Sequence, residues 1–149
     1  MIFVDTSFLV SLYLPNDQFS SLARNLAASF EEPLAYPLLT ELELTNAIWR
    51  SVGEARISSA VAINLFREVR RDLVDGFLEQ CGLNAVAHYG KAIELSQEYA
   101  SRHLTRALDV LHVAAACLLE TTEFASFDAR QRKLATSVGL ALLPLSLRV

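Results

Sequence analysis

The sequence predicts a three-layer α/β/α fold, a short and mostly parallel sheet flanked by helices, in a single domain over residues 1–149. Three observations predict it. Short apolar runs without polar alternation recur along the chain, which is how strands covered on both faces read. Helix-length segments alternate with those runs, the pattern of a parallel sheet built from crossover units. Two of the runs also end alike, on an aspartate that is followed by a helix.

The first run is Ile2-Phe3-Val4. Asp5 then stands at the carboxyl end of a strand, the edge where open α/β sheets bind ligands. Taken alone, this acid has two readings: a group placed for chemistry, or the turn into the next helix with Thr6 or Ser7 as its cap. Phe8 to Leu14 is too apolar for a surface helix and stops at Pro15, whose missing N–H forbids a regular continuation. A second helix is expected from Asn16 or Asp17 to about Phe30. This opening pair carries much apolar surface, to be covered by its own core or by a partner protein.

Pro33-Leu34-Ala35-Tyr36-Pro37 reads as a second short strand bracketed by prolines, and the helix after it, Leu38 to Val52, is stopped by Gly53. Glu41 and Glu43 stand two residues apart and therefore on different faces, so only one can point into a cleft. Helical spacing puts Glu43 in register with Asn46, Ala47 and Arg50. Ser58 reads as the cap of a helix through Ile63, Phe66 and Val69. Its Arg67, Arg70 and Arg71 are diluted by Glu68, Asp72 and Asp75, so a solvated face is the first reading and nucleic-acid contact the second.

Phe77 to Leu83 fits either a fraying helix or a short extended link. From Asn84 a helix runs to about Ser101. Ala107 to Leu119 is apolar nearly all round, as only a deeply buried helix is. Asp109 lies in its first turn, favoured there by the helix dipole, and also at its open end, where a metal ligand belongs. His112 lies one turn on, either a hydrogen-bonded packing residue or a support behind such ligands. Glu123 to Phe127 is another buried strand and ends on Asp128. A helix from Ala129 to Ser137 follows, closed by Gly139, and Leu140 to Leu143 make a last short strand before Pro144.

Composition narrows the class. With 52% hydrophobic residues and a mean hydropathy of +0.30, one continuous core without disulfides is expected. No apolar run is long enough to cross a bilayer and no basic segment leads a hydrophobic one, so a soluble, unprocessed, cytoplasmic protein is expected. Cys81 and Cys117 stand apart, without metal-ligand spacing, and read as packing residues. The net charge of -4 argues against a nucleic-acid partner unless several acids share one cation, which leaves the bases free for phosphate. Those bases are mainly arginines, with Lys91 and Lys133 as the lysines.

Asp5 and Asp128 at strand tips, Glu43 on one helix and Asp109 at the mouth of another can all reach the same sheet edge. Carboxylates gathered there repel one another, and a divalent cation removes the conflict. An all-oxygen site with few carboxylates suits Mg²⁺ or Mn²⁺ and leaves positions for water and a phosphate, so phosphodiester hydrolysis is the chemistry expected. Arg102, His103 and Arg106 precede the buried helix and have two readings, phosphate contacts or solvent-exposed caps of the previous helix, and Arg130 and Arg132 have the same standing.

These residues carry a resemblance. Val4-Asp5-Thr6-Ser7, Glu43-Leu44-Thr45-Asn46-Ala47, Ala107-Leu108-Asp109-Val110-Leu111-His112-Val113-Ala114 and Ser126-Phe127-Asp128, with Arg130 after it, occur in the order found in PIN-domain proteins. Across nearly its whole length the chain resembles the VapC-type toxin ribonucleases of bacterial and archaeal toxin–antitoxin pairs. The resemblance implies Asp5, Glu43, Asp109 and Asp128 as the metal-binding acids, Glu43 rather than Glu41, with Thr6, Ser126 and His112 around them. It also implies Mg²⁺- or Mn²⁺-dependent RNA cleavage leaving a 5′-phosphate, homodimers, and inhibition by a small antitoxin lying across the groove. Two rivals stand beside it. An aspartyl-phosphate phosphatase would want an acid two residues after Asp5, where this chain has Ser7. A non-catalytic interaction module on the same fold would have lost acids that this chain keeps.

Overall fold

Apolar alternation along β1 (Ile2–Val4) sends Ile2 and Val4 to one face of the sheet and Phe3 to the other. The computed structural model describes residues 1–147, and its layers follow from that split. After β1 come α1 (Thr6–Tyr13), α2 (Ser20–Ala27), β2 (Leu34–Pro37), α3 (Leu38–Gly53), α4 (Ser59–Val74) and β3 (Leu78–Cys81). Then follow α5 (Ala85–His103), α6 (Ala107–Leu118), β4 (Glu123–Ala125), α7 (Ala129–Ser137) and β5 (Ala141–Leu143).

The five strands form one sheet in the order β3-β2-β1-β4-β5, with every pairing parallel. One core joins Val4 to Phe8 and Leu9 of α1, Ala23 of α2, Leu44 and Ile48 of α3 and Leu65 of α4. The opposite core joins Phe3 and Phe124, whose rings stack 5.2 Å apart, to α5, α6 and α7. This is the three-layer α/β/α arrangement expected. Cys81 and Cys117 are free thiols packed against the second core. None of the described helices is long and apolar enough to cross a membrane.

Chain order places the candidate site. The chain leaves β1 towards β2 and β3 on one side and returns to β4 and β5 on the other, so the connections on either side of β1 diverge. The carboxyl ends of β1 and β4 therefore flank the topological switch point, the crevice where doubly wound sheets bind ligands.

Several boundaries differ from the sequence reading. The second helix begins at Ser20 rather than Asn16 or Asp17 and ends at Ala27. Asn16 has a left-handed backbone at φ 64°, and the Asp17 carboxylate instead accepts from the Phe19 N–H at 2.9 Å. That local bond ties a turn and delays the helix. Ser58 does cap its helix, accepting from Val61 N. That helix stops at Val74 because Gly76, at φ 78°, turns the chain into β3. The ambiguous stretch is thus an edge strand, with Leu78 and Cys81 buried and Glu79 and Gln80 facing out.

Candidate active site

Asp5 and Asp128 each do two things, and the two follow from one geometry. A carboxylate at the tip of a strand that runs into a helix is also that helix's N-cap. Asp5 accepts from the Phe8 N–H at 2.9 Å and caps α1, and Asp128 accepts from the N–H groups of Arg130 (2.8 Å) and Gln131 (3.1 Å) and caps α7. The cap of α1 is Asp5 itself, not Thr6 or Ser7.

Asp5 is fully buried. The Ser7 hydroxyl donates across both its oxygens, at 2.7 and 2.9 Å, and Ser126 Oγ donates to Oδ2 at 2.7 Å. Ser126 Oγ in turn accepts from Asp128 N at 3.0 Å, and Ser7 Oγ accepts from Phe127 N at 2.8 Å. Two hydroxyls thus lock the tip of β1 to the loop after β4. Burial raises the Asp5 pKa above the usual carboxylate value, against the charge of His112 and the hydrogen bonds of Ser126, Phe8 and Ser7, which lower it.

Glu43 reaches the same edge from α3. Its Oε2 accepts from Thr6 Oγ1 at 2.6 Å and from His112 Nε2. Burial pushes its pKa up, but the hydrogen bond and charge of His112, with the Thr6 hydroxyl, outweigh that and hold it below the ordinary value. Glu41, on another face of α3, instead accepts from Gln80 Nε2 at 3.0 Å at the surface. Asp109, in the first turn of α6, receives the Arg106 N–H on Oδ2 at 2.8 Å, and Arg130 Nε lies 3.6 Å from the same oxygen. Three acids therefore share one arrangement: an oxygen anchored by protein donors and a second one, Oε1 of Glu43, Oδ1 of Asp109 and Oδ2 of Asp128, that receives no hydrogen bond among the described residues. An open groove of about 430 Å³ runs past Glu43 and Asp128, lined by Thr6, Ser7, Asn46 and Arg50 among others.

By donor type this edge fits a hard divalent cation: oxygen ligands only, held by hydrogen-bonded partners of the kind that orient metal ligands. As the side chains lie, however, no three His, Cys, Asp or Glu groups among the described residues stand close enough to hold an ion between them.

The arginines divide. Arg130 is the half-exposed one beside Asp109. Arg106 contributes its backbone N–H to Asp109. Arg102 lies over the Tyr99 ring of its own helix, 5.8 Å from its centre, and His103 meets Ser137 Oγ at the far end of α7 at 2.9 Å. Arg132 is a correction to the sequence reading. It is buried and donates to the backbone carbonyls of Ser126 (2.8 Å), Leu143 (3.3 Å) and Pro144 (2.7 Å), which leaves its guanidinium committed to the fold. Its signal in the sequence was position: it stands three residues before buried Ala135, on the inward stripe of α7.

The family model described as PIN domain matches residues 2–137. The chain belongs to the PIN-domain family. Among solved structures, it is similar to the crystal structure of VapC20 from Mycobacterium tuberculosis, described as a sarcin–ricin loop cleaving toxin. The TM-score is 0.71 at 19% identity, over 94% of this chain and 96% of that one. A search of curated proteins finds no match. The PIN fold is thus supported by sequence and by structure.

Proposed function

We propose that this PIN-domain chain is a metal-dependent endoribonuclease that hydrolyses RNA phosphodiester bonds, and that it is the toxin of a toxin–antitoxin pair. The observation that carries the reading is the set of acids from four separate elements around the carboxyl ends of β1 and β4, three of them with an oxygen left bare of donors among the described residues. The description of VapC20 as a loop-cleaving toxin supports RNA as the substrate class.

Asp5, Glu43, Asp109 and Asp128 would hold Mg²⁺ or Mn²⁺. When bound, such an ion neutralises the phosphate and lowers the pKa of an attacking water. The chain's own groups do the rest. Ser7, Ser126 and the Phe8 N–H fix the Asp5 carboxylate. Thr6 and His112 fix Glu43, with Oε1 turned free. Arg130, 40% exposed next to Asp109, is the phosphate contact of choice, with Arg106 and Arg102 less directly placed. A small antitoxin laid along the groove between α1 and α3, a homodimer and a cytoplasmic location complete the reading.

One observation favours a non-catalytic module instead, namely that no three acids converge as the side chains lie. A single titration decides. Mn²⁺ should bind the wild-type chain, and RNA cleavage should appear with it and vanish in Asp5→Asn while the variant stays folded. A chain that binds no Mn²⁺ and leaves RNA intact refutes the nuclease; Asp5→Asn that still cleaves refutes the role of Asp5.

A further inference from the structure

The geometry points to His112 as the positioning residue that selects which oxygen of Glu43 faces the site, an inference that rests on the nuclease reading above and deepens it. His112 is fully buried in α6, and its ring lies edge-on to Phe3, 6.2 Å between centroids. A carboxylate can only accept, so Nε2 is the donor in its contact with Glu43 Oε2. Thr6 Oγ1 donates to that same oxygen at 2.6 Å and lies 3.4 Å from Nε2. Both donors therefore converge on Oε2, and Oε1 is left as the oxygen available to a ligand.

A second observation separates this from ordinary packing. Nδ1 of His112 is buried without a hydrogen-bond partner among the described residues, and a buried polar atom left unpaired costs on the order of 1–3 kcal/mol. An apolar ring of the same size would fill the slot without that cost. The ring is thus poorly suited to its pocket as a packing group and well suited to one task, delivering an N–H at the Nε2 position. Glu43 needs such help, because α3 supplies no capping or backbone donor to its carboxylate; among the described residues its partners come from α1 and α6.

The reach of the donor makes the inference testable. A glutamine amide nitrogen reproduces the Nε2 position, whereas an asparagine nitrogen reproduces Nδ1, where no acceptor waits. Mn²⁺ affinity of the metal-free protein is measured by calorimetry for wild type, His112→Phe, His112→Gln and His112→Asn, with RNA cleavage followed against Mn²⁺ concentration. Loss of a hydrogen-bonded partner behind a metal ligand weakens metal affinity by roughly 10–100-fold. His112→Phe and His112→Asn should show that loss, with KM for RNA at saturating Mn²⁺ unmoved, while melting temperature rises or holds in the Phe variant. His112→Gln should recover most of the affinity. If His112→Phe does not fold, the Gln and Asn variants, which differ only in reach, carry the comparison.

Wild-type Mn²⁺ affinity in His112→Phe, or equal loss in Gln and Asn, overturns the role of His112 and leaves the nuclease standing. A wild-type chain that neither binds Mn²⁺ nor cleaves RNA overturns both.

Discussion

Replacing Arg132 by methionine separates a structural arginine from a phosphate-binding one. The substitution keeps the aliphatic stem and removes the guanidinium, whose NH1 and NH2 reach the carbonyls of Ser126, Leu143 and Pro144. The Leu143 carbonyl keeps another donor, the Ser126 N–H at 3.1 Å, so two carbonyls lose their partner. At roughly 1–3 kcal/mol for each buried acceptor left unpaired, and with the desolvated guanidinium removed in return, a net loss of about 3 kcal/mol follows. For a domain of this size that is roughly 6–12 °C in melting temperature. The loss should extend to the site, because Ser126 is the residue that Arg132 pins and also the donor to Asp5. Calorimetric melting and Mn²⁺-dependent RNA cleavage measure the two effects. A melting temperature equal to wild type, together with weaker RNA binding, would refute this account and return Arg132 to the phosphate contacts.

Burial raises the Asp5 pKa from its ordinary value of 3.8, so the metal-free folded state holds that proton more tightly than the unfolded state. Its contribution to stability is full below about pH 3.8 and falls as pH rises through the folded pKa; urea unfolding of metal-free Asp5→Asn across this range should show a flatter profile than wild type, and identical profiles would count against the burial argument. Arg130→Ala should weaken RNA binding uniformly across sequences, lower the salt slope by about 1 and leave the melting temperature unchanged. Phe127 stacks between Phe19, at 4.5 Å, and Phe8, at 5.6 Å, so Phe127→Ala should cost about 3–5 kcal/mol in chemical denaturation and reduce cleavage through the displaced Asp128 cap.

Much of this arrangement could be read from residues that act locally. An apolar run that ends on aspartate and runs into a helix fixes both the strand tip and the cap, and Asp5 and Asp128 were legible for that reason. Turn and site are alternatives for Asp5 in the sequence, and the structure shows the turn, with the carboxylate itself as the cap of α1. The edge strand β3 stayed ambiguous because Leu-Glu-Gln-Cys, apolar at its ends and polar between, lacks the strict alternation of a strand, and its pairing with β2 is made by residues more than forty positions away in sequence. Arg132 was misread for the same kind of reason: a charge in a helix reads as solvated, and the carbonyls that bury it come from the loop after β4 and from the end of β5.

The site itself depends on bonds that no local pattern reveals. Ser126 donates to Asp5 across 121 residues, and His112 meets Glu43 across 69. These contacts divide three of the acids into two supported groups, Asp5 and Asp128 through Ser7 and Ser126, and Glu43 through Thr6 and His112, while Asp109 is held separately by the Arg106 N–H. Thr6 and Ser7 follow Asp5 directly and turn to opposite sides, one donating to Glu43 and the other to Asp5. The first turn of α1 is therefore the hinge between the two groups, and a change that shifts Thr6 against Ser7 moves the two halves of the site apart while leaving each carboxylate with its own partners.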